Sequence, residues 1–303
     1  MKLEILDDTE SSMRFVVSGT SIAMMNSLRR TLLTDVPKLA IEDVDFHLGQ
    51  IVDEANKEYE SITPLFNEII AHRLGLIPLP TDLSVMNLRS ECKCEGEGCS
   101  LCTVMYKLDK RGPCMVYSGD LTPLSDMKYA PKSDLIPIVK LGEGQAVLIY
   151  ATAELGTGDM HSKWSPTCGV GFKYYPTIEV NNKKLKDPEV CIDACPKQVF
   201  DATKAGVEVA RPIDCNLCRL CEEACGSDAV KLHADDTKFV FQFESDTSMS
   251  TEDIFLYALR KLQSGFEEIQ KLLVEGLGEK GEKEEKEPKE KKQKETKEKK
   301  KKE

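Results

Sequence analysis

Cysteine is the residue type with the clearest chemical capacity in this sequence. The 303 residues contain 12 cysteines, and ten of them fall into two dense groups, within residues 92–102 and 191–225. We expect a cytoplasmic protein, because no apolar run approaches the roughly 18 residues of a membrane helix and the N-terminus is acidic, unlike a secretory signal. Since the cytoplasm keeps thiols reduced, both groups predict metal binding rather than a disulfide scaffold.

The second cysteine group reproduces much of the spacing found in two-cluster bacterial ferredoxins. A Cys-x3-Cys-Pro element precedes a run with two, two and three intervening residues; the cysteines are Cys191 and Cys195, then Cys215, Cys218, Cys221 and Cys225. Short spacers let three thiolates bind three corners of one cubane, and the distant Cys-Pro element supplies the fourth ligand. The predicted ligands of one [4Fe-4S] cluster, or of a [3Fe-4S] form if one corner is labile, are Cys195, Cys215, Cys218 and Cys221.

A second cluster is not expected. It would need cysteines at positions that hold Leu185 and Pro188, so Cys191 and Cys225 remain as a nearby thiol pair that can oxidise to a disulfide. A zinc knot on the same four thiolates is the alternative to the cluster. The spacing does not separate three roles for a lone cluster, namely a structural staple, an oxidant sensor and an electron carrier; we favour the staple, because the segment has few large apolar residues.

The first cysteine group lies in a loop rich in Gly, Glu and Lys. Its members are Cys92, Cys94, Cys99 and Cys102. Glycines allow the tight turns that bring four sulfurs to a tetrahedron, and four soft thiolates with no open position predict structural zinc. Because the first spacing is tighter than usual, unligated surface thiols are the alternative. Cys114 and Cys168 are isolated, and we expect both to act as small buried apolar side chains.

The elements that must position these groups are read from the apolar periodicity. Alternation over residues 3–17 predicts a hairpin, and three- and four-residue steps predict a helix over residues 22–36. A second helix is expected from Thr63, as N-cap, to Gly75. Residues 104–175 favour β-structure, and the alternating phenylalanines at 239–243 predict a strand that pairs with the N-terminal hairpin, which makes the first domain discontinuous.

A long helix that begins near Ser250 carries a heptad-like apolar seam. The seam residues are Phe255, Leu259, Leu262, Phe266, Ile269 and Leu273. Such a stripe requires another helix, which is either the N-terminal helix of the same chain or a helix of a partner. Both alternatives remain open at this point.

The charge distribution argues against direct nucleic-acid binding. Residues 278–303 carry 12 Lys and 9 Glu, and residues 1–277 carry 29 basic and 43 acidic side chains. An acidic body repels nucleic-acid backbones, so contact with DNA is expected only through partners. The Lys/Glu tail is predicted to be a disordered, solvated extension. The sequence has only four histidines and no phosphate-binding loop, dinucleotide fingerprint or nucleophile elbow, so we expect no catalytic centre.

Three motifs resemble the alpha-type subunits of cellular RNA polymerases. They are NSLRRTLL at residues 26–33, NEIIAHRLGLIPL at residues 67–79 and HSKWSP at residues 161–166. The third is similar to the version shared by archaea and eukaryotes, the family of the eukaryotic third-largest subunit. The resemblance covers nearly residues 1–275, and the ferredoxin-like insert is typical of the archaeal members of this family.

The resemblance implies an α+β fold of three units, and the composition adds a tail that has no counterpart in the family. These are a dimerisation domain (residues 1–42 and 234–277), a β-rich domain with the zinc loop (43–184 and 226–233), an inserted ferredoxin-like iron–sulfur domain (185–225) and the tail (278–303). It also implies a heterodimer with the small alpha-like subunit L, which with subunits N and P forms a platform for the large catalytic subunits.

The predicted partner interface combines two helices. Apolar residues between Ile22 and Val36, including Leu28 and Leu32, and the seam from Phe255 to Leu273 are expected to bury against subunit L. Asn26, Arg29 and Arg30 are expected to help dock a large subunit. The rival hypotheses are a ferredoxin-like electron carrier of an oxidoreductase and a scaffold whose assembly responds to oxidants.

Overall fold

A computed structural model describes residues 1–52, 56–204 and 206–299, with side chains described to residue 276, and the fold is α+β. The strands are β1 (Lys2–Asp8), β2 (Ser12–Ser18), β3 (Lys38–Phe46), β4 (Gln50–Val52), β5 (Glu58–Glu60), β6 (Thr103–Arg111), β7 (Cys114–Tyr117), β8 (Leu121–Pro123), β9 (Pro137–Leu141), β10 (Ala146–Gly156), β11 (Thr167–Val180), β12 (Phe200–Thr203), β13 (Gly206–Val209) and β14 (Val230–Ser245). The α-helices are α1 (Ile22–Thr34), α2 (Asn67–Gly75), α3 (Pro188–Asp193), α4 (Leu220–Cys225) and α5 (Thr251–Lys299). Short 3-10 helices lie at Arg89–Glu91, Ser118–Asp120, Met127–Tyr129, Ser162–Trp164 and Pro212–Asp214.

The first sheet has the strand order β1-β2-β14-β11, and all its pairs are antiparallel. The prediction that the strand at 239–243 pairs with the N-terminal hairpin is confirmed, because Phe241 lies opposite Phe15. β11 differs from the prediction, which assigned it to the β-rich domain. It pairs with β14 from Thr167 to Val180 and therefore belongs to the first sheet.

Helices α1 and α5 cover one face of the first sheet. Phe15 stacks on Phe241 with ring centroids 5.2 Å apart, and Phe255 of α5 packs on Phe15 at 5.0 Å. Ser21 caps α1 by accepting a hydrogen bond from the backbone N–H of Met24, as expected of a helix N-cap. The two ends of the chain thus share one core.

The second sheet has the order β3-β10-β6-β8 and carries a separate apolar core. It begins at Lys38, so the predicted boundary after residue 42 is placed too late.

Helix α2 packs on the second sheet but begins at Asn67, which corrects the predicted start at Thr63. The Thr63 hydroxyl donates to the carbonyl of Leu65 at 2.7 Å and so does not cap the helix.

Polar contacts fix the two sheets to each other. The hydroxyl of Thr167 donates to the carbonyl of Leu32 at 2.7 Å, and Lys38 pairs with Asp246 in a largely buried ion pair. Lys163, in the third motif, donates to the carbonyl of Ile41 at 3.0 Å. The end of α1 is therefore held to β11, and β3 is held to the segments that precede β11 and follow β14.

A small cysteine-rich domain is inserted between β11 and β14. The far ends of these strands, at Val180 and Val230, pair with each other and enter its small core, which includes the disulfide cysteines. Two short helices, α3 and α4, and the β12–β13 hairpin complete the domain. The antiparallel β11–β14 ribbon therefore leads directly from the first sheet to the second cysteine group.

The described backbone of α5 continues as one helix to Lys299. The disordered, solvated character of the Lys/Glu tail over residues 278–303 stays a prediction.

Replacing Phe241 by alanine tests the shared core of the two chain ends. Phe241 is fully buried between Phe15 and Phe172. We expect Phe241→Ala to lower the free energy of unfolding by about 3–5 kcal/mol, because it leaves a cavity. The control Phe66→Ala removes the same atoms from an exposed position and should cost less than about 0.5 kcal/mol. Urea unfolding followed by circular dichroism measures both; equal midpoints would contradict this core.

Candidate metal centres and exposed helix face

The four cysteines of the first group converge as the spacing predicts. Their sulfur atoms all lie within 4.8 Å of one another. The Sγ–Sγ distance is 3.5 Å for Cys92–Cys99, 3.6 Å for Cys94–Cys102 and 3.8 Å for Cys99–Cys102. A tetrahedral zinc ion with metal–sulfur bonds of about 2.3 Å holds its ligand sulfurs about 3.8 Å apart. The spacing of these four sulfurs therefore suits a single metal ion.

Backbone geometry and one arginine position this loop. Gly96 and Gly98 have φ angles of 87° and 97°, in the left-handed region that glycine adopts without strain. Arg89 donates from Nε to the carbonyl of Gly96 at 2.8 Å and from Nη1 to Glu154 on β10 at 2.9 Å. Arg89 therefore anchors the cysteine loop to the second sheet. In the sequence, only the position of Arg89 just before the first cysteine indicates this role.

The thiols of the first group have different proton affinities. The backbone N–H of Gly98 is the main cause that lowers the pKa of Cys94 to about 6, because a hydrogen bond stabilises the thiolate. Burial raises the pKa of Cys102 to about 12. Near neutral pH the Cys94 sulfur is therefore a thiolate that is ready to bind a metal, whereas Cys102 would lose its proton to solvent when a metal binds.

The second cysteine group surrounds a cavity. Cys195, Cys215, Cys218 and Cys221 all line it, and its remaining walls are mainly apolar. The apolar wall residues include Ile178, Val199, Phe200 and Leu232. Among the described residues, only the first group brings three or more ligand atoms within 4.8 Å of one another, so these four sulfurs are too widely spaced for one zinc ion. A cavity with thiols on its walls fits a multi-iron cluster better than a zinc knot.

Local backbone features support thiolate ligands around this cavity. The N–H of Val199 donates to Cys195 Sγ at 3.5 Å, and that of Leu217 to Cys215 Sγ at 3.4 Å. Leu217 and Arg219 have positive φ angles of 59° and 66°, which non-glycine residues adopt at a cost. The loop therefore bends so that successive cysteines face one cavity.

Cys191 and Cys225 are joined by a disulfide bond, with their Cα atoms 5.8 Å apart. They are the two cysteines that the predicted cluster does not use. The disulfide links α3 to the end of α4. Of the isolated cysteines, Cys168 is exposed and Cys114 is half-buried, so neither is the fully buried side chain that was predicted.

The seam of α5 is buried at its start and exposed farther along. Phe255 and Leu262 are half-buried against the core of the first sheet, which supports packing within the chain for this part. The exposed fractions of the other seam residues are 40% for Leu259, 54% for Phe266, 56% for Ile269 and 60% for Leu273. The first part of the α5 seam therefore packs within the chain, and the later part is exposed to solvent.

Two of the predicted interface residues on α1 require correction. Leu28 and Leu32 are buried in the core of their own chain, because the inner face of α1 packs on the first sheet. They are not available for contact with a partner. Asn26 and Arg30 are exposed, and Arg29 donates to Asn26 Oδ1 at 3.0 and 3.1 Å.

A further exposed apolar pair lies on β1. Leu3 and Ile5 are 52% and 55% exposed, although they lie opposite Val17 and Phe15, whose side chains enter the core. Residues directly opposite each other in a sheet point to the same face. The helix-covered face of the first sheet is thus open at its β1 edge. The sequence alternation identified this strand but gave no indication that it is uncovered.

Comparison with known proteins is consistent with these features. The model of the RNA polymerase Rpb3/Rpb11 dimerisation domain matches residues 14–266. "DNA-directed RNA polymerase subunit Rpo3" of Picrophilus torridus is 43% identical over 274 residues, which cover 90% of this chain and 100% of the relative. The subunit of the same name from Thermoplasma volcanium is 44% identical over 279 residues, 92% of this chain and 100% of the relative.

The chain therefore belongs to the family of RNA polymerase subunits that contain the Rpb3/Rpb11 dimerisation domain. Within it, the chain groups with the archaeal Rpo3 subunits, and it is a subunit of DNA-directed RNA polymerase. The predicted resemblance is confirmed at this level. Among the described residues, no helix combines the length and apolar content that a membrane crossing requires.

Replacing Cys102 tests the first metal centre. We expect Cys102→Ser to lose one equivalent of bound zinc, because three thiolates no longer close the tetrahedron. The matched control is Cys114→Ser, which changes the same atom outside both groups and should leave zinc unchanged. Elemental analysis of the purified chain measures the zinc content of both variants. Equal zinc in both variants would exclude this loop as the site.

Proposed function

We propose that this chain is a non-catalytic assembly subunit of the archaeal RNA polymerase, which pairs with the small alpha-like subunit L. The observation that carries the proposal is the seam of α5, which begins in the core of the chain and continues as exposed Phe266, Ile269 and Leu273. An exposed apolar stripe of this kind marks a surface that another protein covers.

The β1 edge extends this surface. Leu3 and Ile5 lie on the face of the sheet that α5 crosses, and Thr251 at the start of α5 donates hydrogen bonds to Asp8 and Thr9 at the end of β1. An apolar helix and an uncovered sheet edge thus occur on one side of the molecule. A helix of subunit L that packs on α5 would cover both, and obligate interfaces of this class commonly bury roughly 2,000 Å² or more.

The proposed pairing also explains the polar residues on α1. Asn26, Arg29 and Arg30 stay accessible when the inner face of α1 is buried in the chain. We assign them to contacts with a large catalytic subunit, and we assign subunits N and P to the same platform. The net acidic charge of the body supports DNA contact through the partners rather than through this chain.

The two cysteine groups are assigned structural metals within this function. Cys92, Cys94, Cys99 and Cys102 would hold a zinc ion, and Cys195, Cys215, Cys218 and Cys221 would hold one [4Fe-4S] or [3Fe-4S] cluster. Each bound group would cross-link a segment that has little apolar core of its own. The electron-carrier alternative has less support. The second-cluster positions hold Leu185, which packs on the small core, and Pro188, which begins α3.

A charge in the exposed seam tests the pairing. We expect Phe266→Asp to weaken binding to subunit L at least about 100-fold, because a buried unpaired carboxylate costs several kcal/mol. Phe266 is exposed in the free chain, so the variant should keep its own fold. This makes it a cleaner probe than half-buried Leu262, whose replacement would also disturb the core.

The matched control is Ser264→Asp, which adds the same charge to the exposed side of α5 away from the seam. It should bind subunit L as the unmodified chain does. Isothermal titration calorimetry with purified subunit L measures both variants. The assignment fails if Phe266→Asp binds within about threefold of the control.

Replacing Cys215 separates the staple from the electron carrier. We expect Cys215→Ser to lose iron and to raise amide hydrogen exchange throughout residues 185–225, because the metal would join the loop that carries Cys215 to the Cys195 element. The control Cys168→Ser changes an exposed cysteine outside both groups and should keep iron and exchange unchanged. A Cys215→Ser chain that loses iron but keeps its exchange protection would instead favour the carrier.

A further inference from the structure

A groove lies between the first sheet and the inserted cysteine-rich domain. Arg14, Lys173 and Gln242 line it from the sheet, and Lys197 and Asn216 line it from the cysteine-rich domain. Its volume is about 630 Å³, which falls within the range of roughly 300–1,000 Å³ that small-molecule sites occupy. None of the features described so far uses this groove.

Strand alternation explains why these side chains face the groove. Phe15 and Phe172 pack in the helix-covered core, so their chain neighbours Arg14 and Lys173 point to the opposite face of the sheet. Gln242 lies opposite Arg14 in the sheet register and therefore points to the same face. The groove is thus on the side of the sheet away from α1 and α5, and it is separate from the proposed pairing surface.

Gly171 leaves space in the sheet wall of the groove. It lies opposite Gln242 on β14 and lines the groove. Its backbone is not in the left-handed region, and a Cβ added to it would meet no atom within 4 Å. The backbone therefore does not require glycine here, and a side chain at this position would occupy part of the groove.

The groove is positively charged, although the body of the chain is acidic. Arg14, Lys173 and Lys197 line it, and Asp214 is the one acidic side chain among the described residues that do so. Arg14 and Lys197 both lie near enough to repel the ammonium group of Lys173. An anion in the groove would relieve this repulsion, so the local charge favours an anionic ligand.

The three cations keep hydrogen-bond donors that the chain does not fully use. Lys173 donates to the carbonyls of Ile213 at 2.6 Å and Cys215 at 2.8 Å, which leaves one of its three N–H groups. Arg14 Nη2 reaches the same Ile213 carbonyl only at 3.5 Å, beyond the usual range. Lys197 has no acceptor in the described part of the chain. Because Arg14 and Lys173 approach one carbonyl oxygen, a single small anion can reach both.

We infer that this groove binds a small oxyanion that carries two or more phosphate or carboxylate groups. Arg14 can bind one such group through two parallel N–H donors, and the lysines add point charges from both walls. Phe172 is the one aromatic residue among the described lining residues, and its ring packs in the core. The groove therefore offers no ring for stacking, and the anionic groups are the part of the ligand that it recognises.

A cluster in the second cysteine group would add negative charge nearby. Lys197 lines both the groove and the cysteine cavity, whereas Arg14 and Lys173 line the groove alone. A cluster therefore offsets the positive charge of the groove only from one side. The test uses the iron-loaded chain, in which this compensation is already present.

Isothermal titration calorimetry of the iron-loaded, full-length chain under anaerobic conditions tests the inference. The probes are pyrophosphate for phosphate groups and tricarballylate for carboxylate groups. We expect at least one of them to bind with a Kd of about 1 mM or tighter at an ionic strength of about 0.15 M. The tighter probe identifies the anionic group that the groove prefers. Visible absorbance before and after each titration checks that iron stays bound.

Three variants make the result specific. Lys197→Met removes one cation and should weaken binding at least about tenfold, because a hydrogen bond to a charged group is lost. Gly171→Val keeps every charge but fills part of the groove, and it should weaken binding by a similar factor, with Gly171→Ala in between. The matched control Lys231→Met removes an exposed lysine of β14 outside the groove and should bind within about twofold of the unmodified chain.

Urea unfolding midpoints check that the variants fold, and if Gly171→Val does not fold, Gly171→Ala and Lys197→Met carry the test. Binding of both probes weaker than about 1 mM overturns the inference. So does unchanged binding in Lys197→Met or in the folded glycine variants, or an equal loss in Lys231→Met, which would indicate diffuse charge attraction. Binding of a hexaglutamate peptide but of neither probe would make the groove a protein-docking site and also overturns it. Pairing with subunit L enters none of these measurements, so their failure leaves the proposed function intact.

Discussion

The apolar seam of α5 is the feature on which the rest of the structure depends. The chain covers its first turns with the aromatic core of the first sheet and leaves its later turns exposed, from Phe266 to Leu273. Burial of apolar surface is the dominant favourable contribution to protein association. Burial of the exposed part of the seam would therefore favour pairing with another protein. The covered part fixes the start of α5 on the first sheet, because the Phe255 ring packs against the rings of Phe15 and Phe243.

The chain topology follows from the need to support that helix. β14 returns from the insertions and pairs with β2, so the sheet under α5 is built from both ends of the sequence. The second sheet and the cysteine-rich domain are both inserted between α1 and β14, and β11 and β14 leave and re-enter the first sheet side by side. Both cysteine groups lie in such insertions. The first group lies in a loop that Arg89 anchors to the second sheet, and the second group lies around the small core of the cysteine-rich domain.

Much of this organisation is predictable from the sequence, because local chemistry determines it. Cysteine spacing identified both groups of thiols, and alternation at Phe239 to Phe243 identified the strand that closes the first sheet. Features set by tertiary contacts were not predictable. Leu28 and Leu32 carry the same apolar signal as an interface, and only the packed structure shows that their own sheet buries them. The sequence does not reveal the partner through which Arg89 joins the cysteine loop to β10, because Glu154 is distant in the chain.

Hydrogen–deuterium exchange along α5, with and without purified subunit L, tests the central claim most directly. The account predicts that pairing adds protection to residues 263–275, where the seam is exposed, and changes residues 251–258 little, because the core already protects them. Exchange at residues 263–275 that is the same in the free and mixed samples, at concentrations where the polymerase assembles, would contradict it.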